Sequence, residues 1–411
     1  MFLVGGTCIG GGMLALPIAT GISGFLPSFV IMTICWLAMT ATALLLLEAS
    51  LWMEEGAHVI TITSRILGLP GKVVAWILYL FICYASIVAY TAGGGIQIAS
   101  GFEHFLNIPI SKDLGCLIFI LVFGAVIYIG SKTVGRVNTI VFIAMIVAYI
   151  FLVGMGIDEI KPSLLTVRRW STSLLALPLL LTAFSFQTMV PSLTPYLKKH
   201  AGALRLAIIG GTFIAFLVYT IWQCLILGIV PIEGPNGLAE ALSRGEPATQ
   251  FLKEHVEGRW IAHVAEYFAF FAIVTSFFGI ALGLYDFLSD GFHIKKEGFG
   301  KIILGLLIVV PTLIFATQFE RIFLLALDTS GGYGDTILNG IIPVLIVWIG
   351  RYRMGYQDHI QLPGGKILLA IVFSFFVFAL LLEIFAHLGY VASIYDAYKL
   401  FDINMPELKE G

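Results

Sequence analysis

Two stretches of this chain place small, polar and helix-breaking residues inside otherwise apolar runs. The first reads Gly5-Gly6-Thr7-Cys8-Ile9-Gly10-Gly11-Gly12-Met13-Leu14-Ala15-Leu16-Pro17. The second reads Thr182-Ala183-Phe184-Ser185-Phe186-Gln187-Thr188-Met189-Val190-Pro191-Ser192. Bare backbone at Gly10, Gly11 and Gly12 lets a ligand approach closely, since no Cβ intervenes. A helix restarting near Met13 points free N–H groups and the positive end of its dipole at the first break, which suits a carboxylate. Carbonyls freed on the other side of each break, and near Phe184 to Gln187 in the second, suit an ammonium or a cation. A carboxylate and an ammonium on one short fork describe an amino acid. Plainer readings exist: Gly6-x-x-x-Gly10 is also a helix-packing motif, and Pro191 and Pro195 also make simple kinks. A nucleotide loop fits poorly, because Gly11 and not lysine follows Gly5-x-x-x-x-Gly10.

The elements that hold these stretches must be membrane helices. The chain has 411 residues, 59% of them hydrophobic and only 12% charged, against about 25% charged in soluble proteins. That excludes a soluble globular domain. The net charge of −2 offers nucleic acid no bulk attraction. Apolar runs of roughly 18 to 25 residues match a helical bilayer crossing. Eleven spans are expected, at about 2–21, 26–50, 73–99, 113–130, 137–156, 172–196, 204–230, 260–285, 301–318, 322–350 and 367–389. The third follows the turn signal Gly68-Leu69-Pro70-Gly71. The tenth is interrupted by Asp328-Thr329-Ser330-Gly331-Gly332-Tyr333-Gly334-Asp335 and reads as a helix, a short break and a helix. The loop at about 231–259 could hold a short surface helix, and the polar tail from about 390 is expected to be peripheral. No cleavable signal peptide is expected, as the start lacks a basic region. The five cysteines fall in apolar segments without a C-x-x-C pair, which suits packing better than disulfides or metal.

Spans one and six both open a run of five spans with a broken helix. Five is odd, so the second run enters the membrane from the opposite side. The expected fold class is therefore an all-α integral membrane protein of about eleven transmembrane helices in one domain, 1–411: a five-plus-five inverted repeat (about 2–156 and 172–350) with broken helices one and six, plus one extra helix at about 367–389. Matched broken spans are the best pointer in a sequence to a transporter binding site. Lysine and arginine favour one set of alternate loops, those carrying Arg65, Lys72, Lys132, Arg136, Lys198, Lys199, Arg205, Lys295, Lys296, Lys301, Arg351, Arg353 and Lys366. That set should be cytoplasmic. The N-terminus is then inside and the C-terminus outside, although Arg168-Arg169 beside span six opposes the bias locally.

Other groups at membrane depth add candidates. Thr275 and Ser276 could face span one and ligate a small cation, or replace it with hydrogen bonds; hydroxyls in membrane helices also bond their own i−4 carbonyls. Intramembrane charges are functional hypotheses by default. Glu48, at the end of Leu44-Leu45-Leu46-Leu47, is a titrating or gating carboxylate or an interfacial group. Asp328 and Asp335 flank the interruption in span ten, and Glu383 lies late in span eleven, where it reads as interfacial. Tyr84, Tyr90, Phe184, Phe186, Phe277 and Phe278 offer a pocket for a ring. Gln187, inside the second break, is the candidate for ligand recognition.

These residues resemble a known family. Gly6 through Pro17, Leu44-Leu45-Leu46-Leu47-Glu48, Val190-Pro191-Ser192, Trp222-Gln223 and the run Thr275-Ser276-Phe277-Phe278-Gly279 through Asp290 are similar to bacterial aromatic amino acid permeases, the tyrosine-specific ones in particular. The likeness runs from the first span to the eleventh. It implies proton-coupled uptake of tyrosine or tryptophan across the bacterial inner membrane. No cofactor is implied beyond the proton gradient, with sodium an alternative. It would place the substrate backbone at Gly10 to Gly12 and Phe184 to Gln187; Thr7, Tyr84, Ser185, Phe186 and Phe277 are the further substrate-binding candidates read from the residues. Glu48, Thr275, Ser276 and Asp328 are the ion-coupling candidates. The family usually shows a glycine between the two phenylalanines and a histidine after them, where this chain has Ser185 and Gln187. Asp328 stands where a small residue is more usual, and is a substitute proton site. No bond is made in such transport, so no enzyme is expected. The rivals are a sodium-coupled carrier of the same fold and, further off, a channel. An enzyme would need a convergent group at depth, which the eight histidines do not form.

Overall fold

The structure is a computed structural model describing residues 2–54, 57–197, 200–252, 255–256, 259–319, 321–356 and 361–396. Among the described residues there are helices and turns and no strand. Among the described residues ten helices are long and apolar enough to cross a membrane. In hydrocarbon an unpaired peptide group costs several kcal/mol, so a chain this apolar satisfies its backbone within helices. The first expected span is split into Phe2–Cys8 and Gly11–Gly21. Span two is Phe25–Leu51, span four Lys112–Ile129, span five Ser131–Gly156, span seven Ala201–Ile229, span eight Arg259–Phe292, span nine Phe299–Gln318 and span eleven Gly365–His387. Span six is split as well, into Leu177–Ala183, a 3-10 turn at Gln187–Met189, and Val190–Tyr196.

Three elements differ from expectation. Span three runs as Val59–Leu106, because a short helix precedes the turn signal and joins the span across Gly68 (φ 71°, ψ −161°). That left-handed backbone is open to glycine and costly for other residues. The loop after span seven holds two short helices, Leu238–Arg244 and Ala248–Leu252. The first is not on the surface: Leu238, Ala239, Ala241 and Leu242 are buried, and Leu238 packs on Gly21 at the end of span one. Span ten contains no break. It continues from Ile322–Thr329 through a π-helix at Ser330–Ile341 into Ile342–Tyr352. The wide winding follows from its glycines: a Cβ on Gly331 would overlap the Pro178 carbonyl of span six, so bare backbone lets the two spans touch. The Thr336 hydroxyl also donates to the Gly331 carbonyl five residues back (2.7 Å). Such π segments frequently mark functional sites.

Glu48 takes part in a buried clamp. Arg351 Nε and Nη2 donate to Glu48 Oε1 (2.7 Å) and Oε2 (2.5 Å), with side chains only 5% and 1% exposed. The Leu362 N–H also points at Glu48 Oε2 (3.4 Å). The carboxylate expected as a titrating or gating group instead ties span two to the end of span ten, held by an arginine that stays charged. Breaking one side of such a pair strands a buried charge at a cost of about 3–5 kcal/mol. Glu48→Ala should therefore lower the melting temperature of the purified protein by several degrees, and the swap Glu48→Arg with Arg351→Glu should recover part of the loss. A melting temperature unchanged in Glu48→Ala would show that the clamp contributes nothing.

Candidate site at the paired helix breaks

The two breaks meet, and one side chain of span seven joins them. Tyr219 is fully buried. Its hydroxyl lies 2.5 Å from the Cys8 carbonyl, where the first half of span one ends, and 2.8 Å from the Ala183 carbonyl, where the first half of span six ends. A phenol has one proton to donate, so both freed carbonyls share a single donor. A Cβ on Gly12 would stand 3.6 Å from Ala183 Cα, which puts the restarted half of span one in contact with span six. One turn along span seven, Trp222 Nε1 donates to the Met13 carbonyl (3.0 Å), and Gln223 Oε1 accepts from the Thr20 hydroxyl (2.7 Å).

Span eight closes the first break. The Gly11 N–H donates to Ser276 Oγ (2.8 Å). A Cβ on Gly10 would overlap that same oxygen, and one on Gly11 would lie 2.6 Å from the Tyr90 ring. Glycine is thus required here by close approach. Ser276 faces span one as expected, by the hydrogen-bonding option. It occupies one of the three glycine N–H groups assigned to a carboxylate. Thr275 does not join it: its hydroxyl donates to Ala272 O (3.0 Å) and faces Met145 of span five. Gly12, Ser185 and Ser276 are half-buried, while Thr7 and Gly279 are exposed, and a Cβ on Gly279 would meet no atom within 4 Å.

The second break is held by its own residues. Gln187 Oε1 accepts from the Phe186 N–H (2.9 Å), and Nε2 donates to Met39 O (3.1 Å) and lies 3.4 Å from Thr42 Oγ1. The residue expected to read a ligand is instead completely buried and uses its amide to satisfy the interrupted backbone and brace it on span two. Phe184 packs its ring on Tyr219 (5.1 Å between centroids), and Phe186 is buried beside it in sequence. Ser185 behaves differently. Its hydroxyl donates to Asp335 Oδ1 on span ten (2.5 Å) and accepts from Asn339 Nδ2 (3.0 Å). Asp335 is fully buried and also accepts from Asn339 Nδ2 (2.7 Å), with the Thr182 hydroxyl 3.3 Å away. Among the described residues no basic group forms an ion pair with it.

Other expected residues lie apart from the breaks. The Tyr84 hydroxyl donates to Leu307 O of span nine (2.8 Å), and the neighbouring candidate Tyr90 takes the place beside Gly11. Phe277 is buried against Phe119 of span four (5.2 Å), in a ring cluster that continues through Phe123 and Phe278. Asp328 lines a separate recess with Glu383. The site candidates missing from the sequence reading are Tyr219, Asn339 and Asp335's link to Ser185. Only Asp335 carried a signal, as an acid at membrane depth.

With this geometry in hand, the relatives of the chain become informative. The profile of the tryptophan/tyrosine permease family matches residues 1–383. The chain is 29% identical to a tryptophan-specific transport protein of Haemophilus influenzae, covering 95% of this chain and 96% of that one. It is 31% identical to tyrosine-specific transport system 1 of the same organism, covering 90% and 92%. A tyrosine permease of Enterobacter agglomerans is 26% identical over 93% of this chain and 95% of its own length. All three are named as transport proteins and not as enzymes. Tyr219→Phe leaves the Cys8 and Ala183 carbonyls without their donor, at a cost of about 1–3 kcal/mol. The variant should melt earlier and take up substrate more slowly at equal abundance in the membrane; wild-type melting and uptake together would remove Tyr219 from the site.

Proposed function

The chain belongs to the tryptophan/tyrosine permease family, and from that premise we propose that it imports an aromatic amino acid, tyrosine in the first instance, across the bacterial inner membrane together with protons. The carrying observation is the junction of the two broken helices at Tyr219, with the Ser185–Asp335 pair directly behind it. The substrate carboxylate takes the N-terminus of the restarted helix at Gly10 to Gly12, where the dipole favours an anion. The ammonium takes the carbonyl-rich break at Phe184 to Ser185. The halves act as an inverted repeat, with the N-terminus cytoplasmic, and one bundle rocks around this fixed midplane site.

Asp335 is the proton site. Ser185 touches both the substrate break and this carboxylate, so occupancy of one is felt by the other. Asn339 suits both protonation states: its amino group donates to the carboxylate, and the amide turned over would accept from the acid. Sodium coupling draws no comparable support. That reading places both span-eight hydroxyls on span one, and Thr275 is turned to Ala272.

Radiolabelled tyrosine uptake into proteoliposomes tests the proposal. Uptake should saturate, be competed by tryptophan, and collapse with the pH gradient. A sodium requirement at fixed pH would replace the proton, and flux without saturation or countertransport would indicate a channel. Asp335→Asn should cut uptake driven by an imposed pH gradient at least about tenfold, the scale of one lost charged hydrogen-bond partner; an unchanged response to the gradient would move the proton elsewhere. In a Cys224→Ser background, Gly279→Cys should react with an impermeant maleimide from the cytoplasmic side and more slowly with tyrosine bound. Absence of labelling from either side would contradict an aqueous path along span eight.

A further inference from the structure

A second pair of acids lies where spans six, ten and eleven meet, away from the helix breaks. The start of span six, the first turns of span ten and the last turns of span eleven enclose a recess of about 670 Å³, part of it open to solvent. Its walls are apolar, with Leu174, Leu175 and Pro178 from span six and Leu325 and Leu382 facing them. Asp328 and Glu383 line it as well, only 6% and 4% exposed. Asp328 Oδ1 and Glu383 Oε1 are shielded from water without a hydrogen-bond donor. The nearest basic atom to Glu383 Oε1 is His387 Nδ1 at 3.3 Å. Gly332 makes the room: a Cβ there would overlap the Glu383 carboxyl carbon. A glycine on the π-helix is therefore what admits an acid at this depth.

The remaining titratable groups around the recess are few. Span ten adds Tyr333, whose ring meets that of His387 edge-on at 5.4 Å, and the segment after span eleven adds Tyr395. Span six contributes no titratable side chain to the lining, and span three no residue at all. Two unsolvated carboxylates among apolar walls cannot both stay charged without a partner. A metal cation seeks six or more oxygens when it is calcium or magnesium, and these walls do not supply them. A single proton suffices.

We propose that Asp328 and Glu383 hold one exchangeable proton between them at the outer face and load it toward Asp335. The step is a proton transfer alone: the O–H bond of the acid pair breaks, a new O–H forms on Asp335, and the pair is recharged from solution through the recess. Thr182 packs against the backbone next to Asp328 and against Asp335. Its hydroxyl donates to the Leu327 carbonyl, next to Asp328, at 2.7 Å and lies 3.3 Å from Asp335 Oδ2. The inference rests on the proton-symport reading, and it adds where the proton enters.

The test is tyrosine uptake into proteoliposomes as a function of external pH. Asp328→Asn and Glu383→Gln each leave one acid with no neighbouring negative charge, so a more acidic solution is needed to protonate it. The half-maximal external pH should move acidward by about one unit or more. His387→Gln removes the imidazole whose Nδ1 lies 3.3 Å from Glu383 Oε1, and the midpoint should move the other way. A merely structural role would not give opposite shifts. If Asp328→Asn fails to insert, Glu383→Gln and His387→Gln still carry the comparison. Midpoints equal to that of the unsubstituted protein, or all shifted in one direction, overturn the loading pair. So does a midpoint moved by exchanging external choline for sodium. When the unsubstituted protein responds to the pH gradient and Asp335→Asn does not, such a result sinks this inference alone. Uptake indifferent to the gradient in the unsubstituted protein sinks both.

Discussion

A peptide group inside hydrocarbon must find a partner, and that requirement organises the centre of this molecule. Interrupting two helices at membrane depth frees carbonyls and N–H groups that the helices would otherwise satisfy. Tyr219 serves two of the carbonyls, Ser276 serves the Gly11 N–H, and Gln187 serves the Phe186 N–H. Each donor or acceptor comes from a different span or from the break itself. The arrangement therefore fixes spans one, six, seven and eight around one point. What is left over there, a helix start with bare glycines and a short polar stretch with Ser185, is what a small zwitterion needs.

The same requirement explains what could be read from the chain and what could not. The breaks were legible because glycine and proline in an apolar run are visible without coordinates. The glycines at 10 and 11 are expected to allow close approach of a ligand, and what the structure places against them is Ser276 and Tyr90. Gln187 follows the same logic, with the broken backbone as its partner. A polar amide beside a break has two customers, a ligand and the broken backbone, and its neighbours on span two decide between them. Tyr219 gave no signal at all, because one tyrosine in an apolar helix is ordinary until its hydroxyl is seen between two carbonyls.

The charges tell a related story. Sequence depth alone put Glu48, Asp328 and Asp335 on equal footing. Their surroundings separate them: Glu48 meets an arginine 303 residues later in the chain, Asp335 meets neutral donors at the second break, and Asp328 shares a recess with another acid. The interruption in span ten reads as a break because the polar and glycine-rich run from Asp328 to Asp335 interrupts its apolar residues. It winds wide and stays continuous, since its bare backbone is used to pack on Pro178 and to admit Glu383 rather than to open a helix end. Glycine content marks close approach, and only the neighbour tells which kind.

The account stands or falls on where an aromatic amino acid binds. The most direct measurement is an experimental density map of the protein with tyrosine or tryptophan bound. The ligand should lie between the two breaks, its carboxylate within hydrogen-bonding distance of the Gly10 to Gly12 backbone and its ammonium toward Phe184 and Ser185. Ligand density elsewhere in the bundle, or helices wound continuously through residues 8–11 and 183–187 in the bound state, would contradict it.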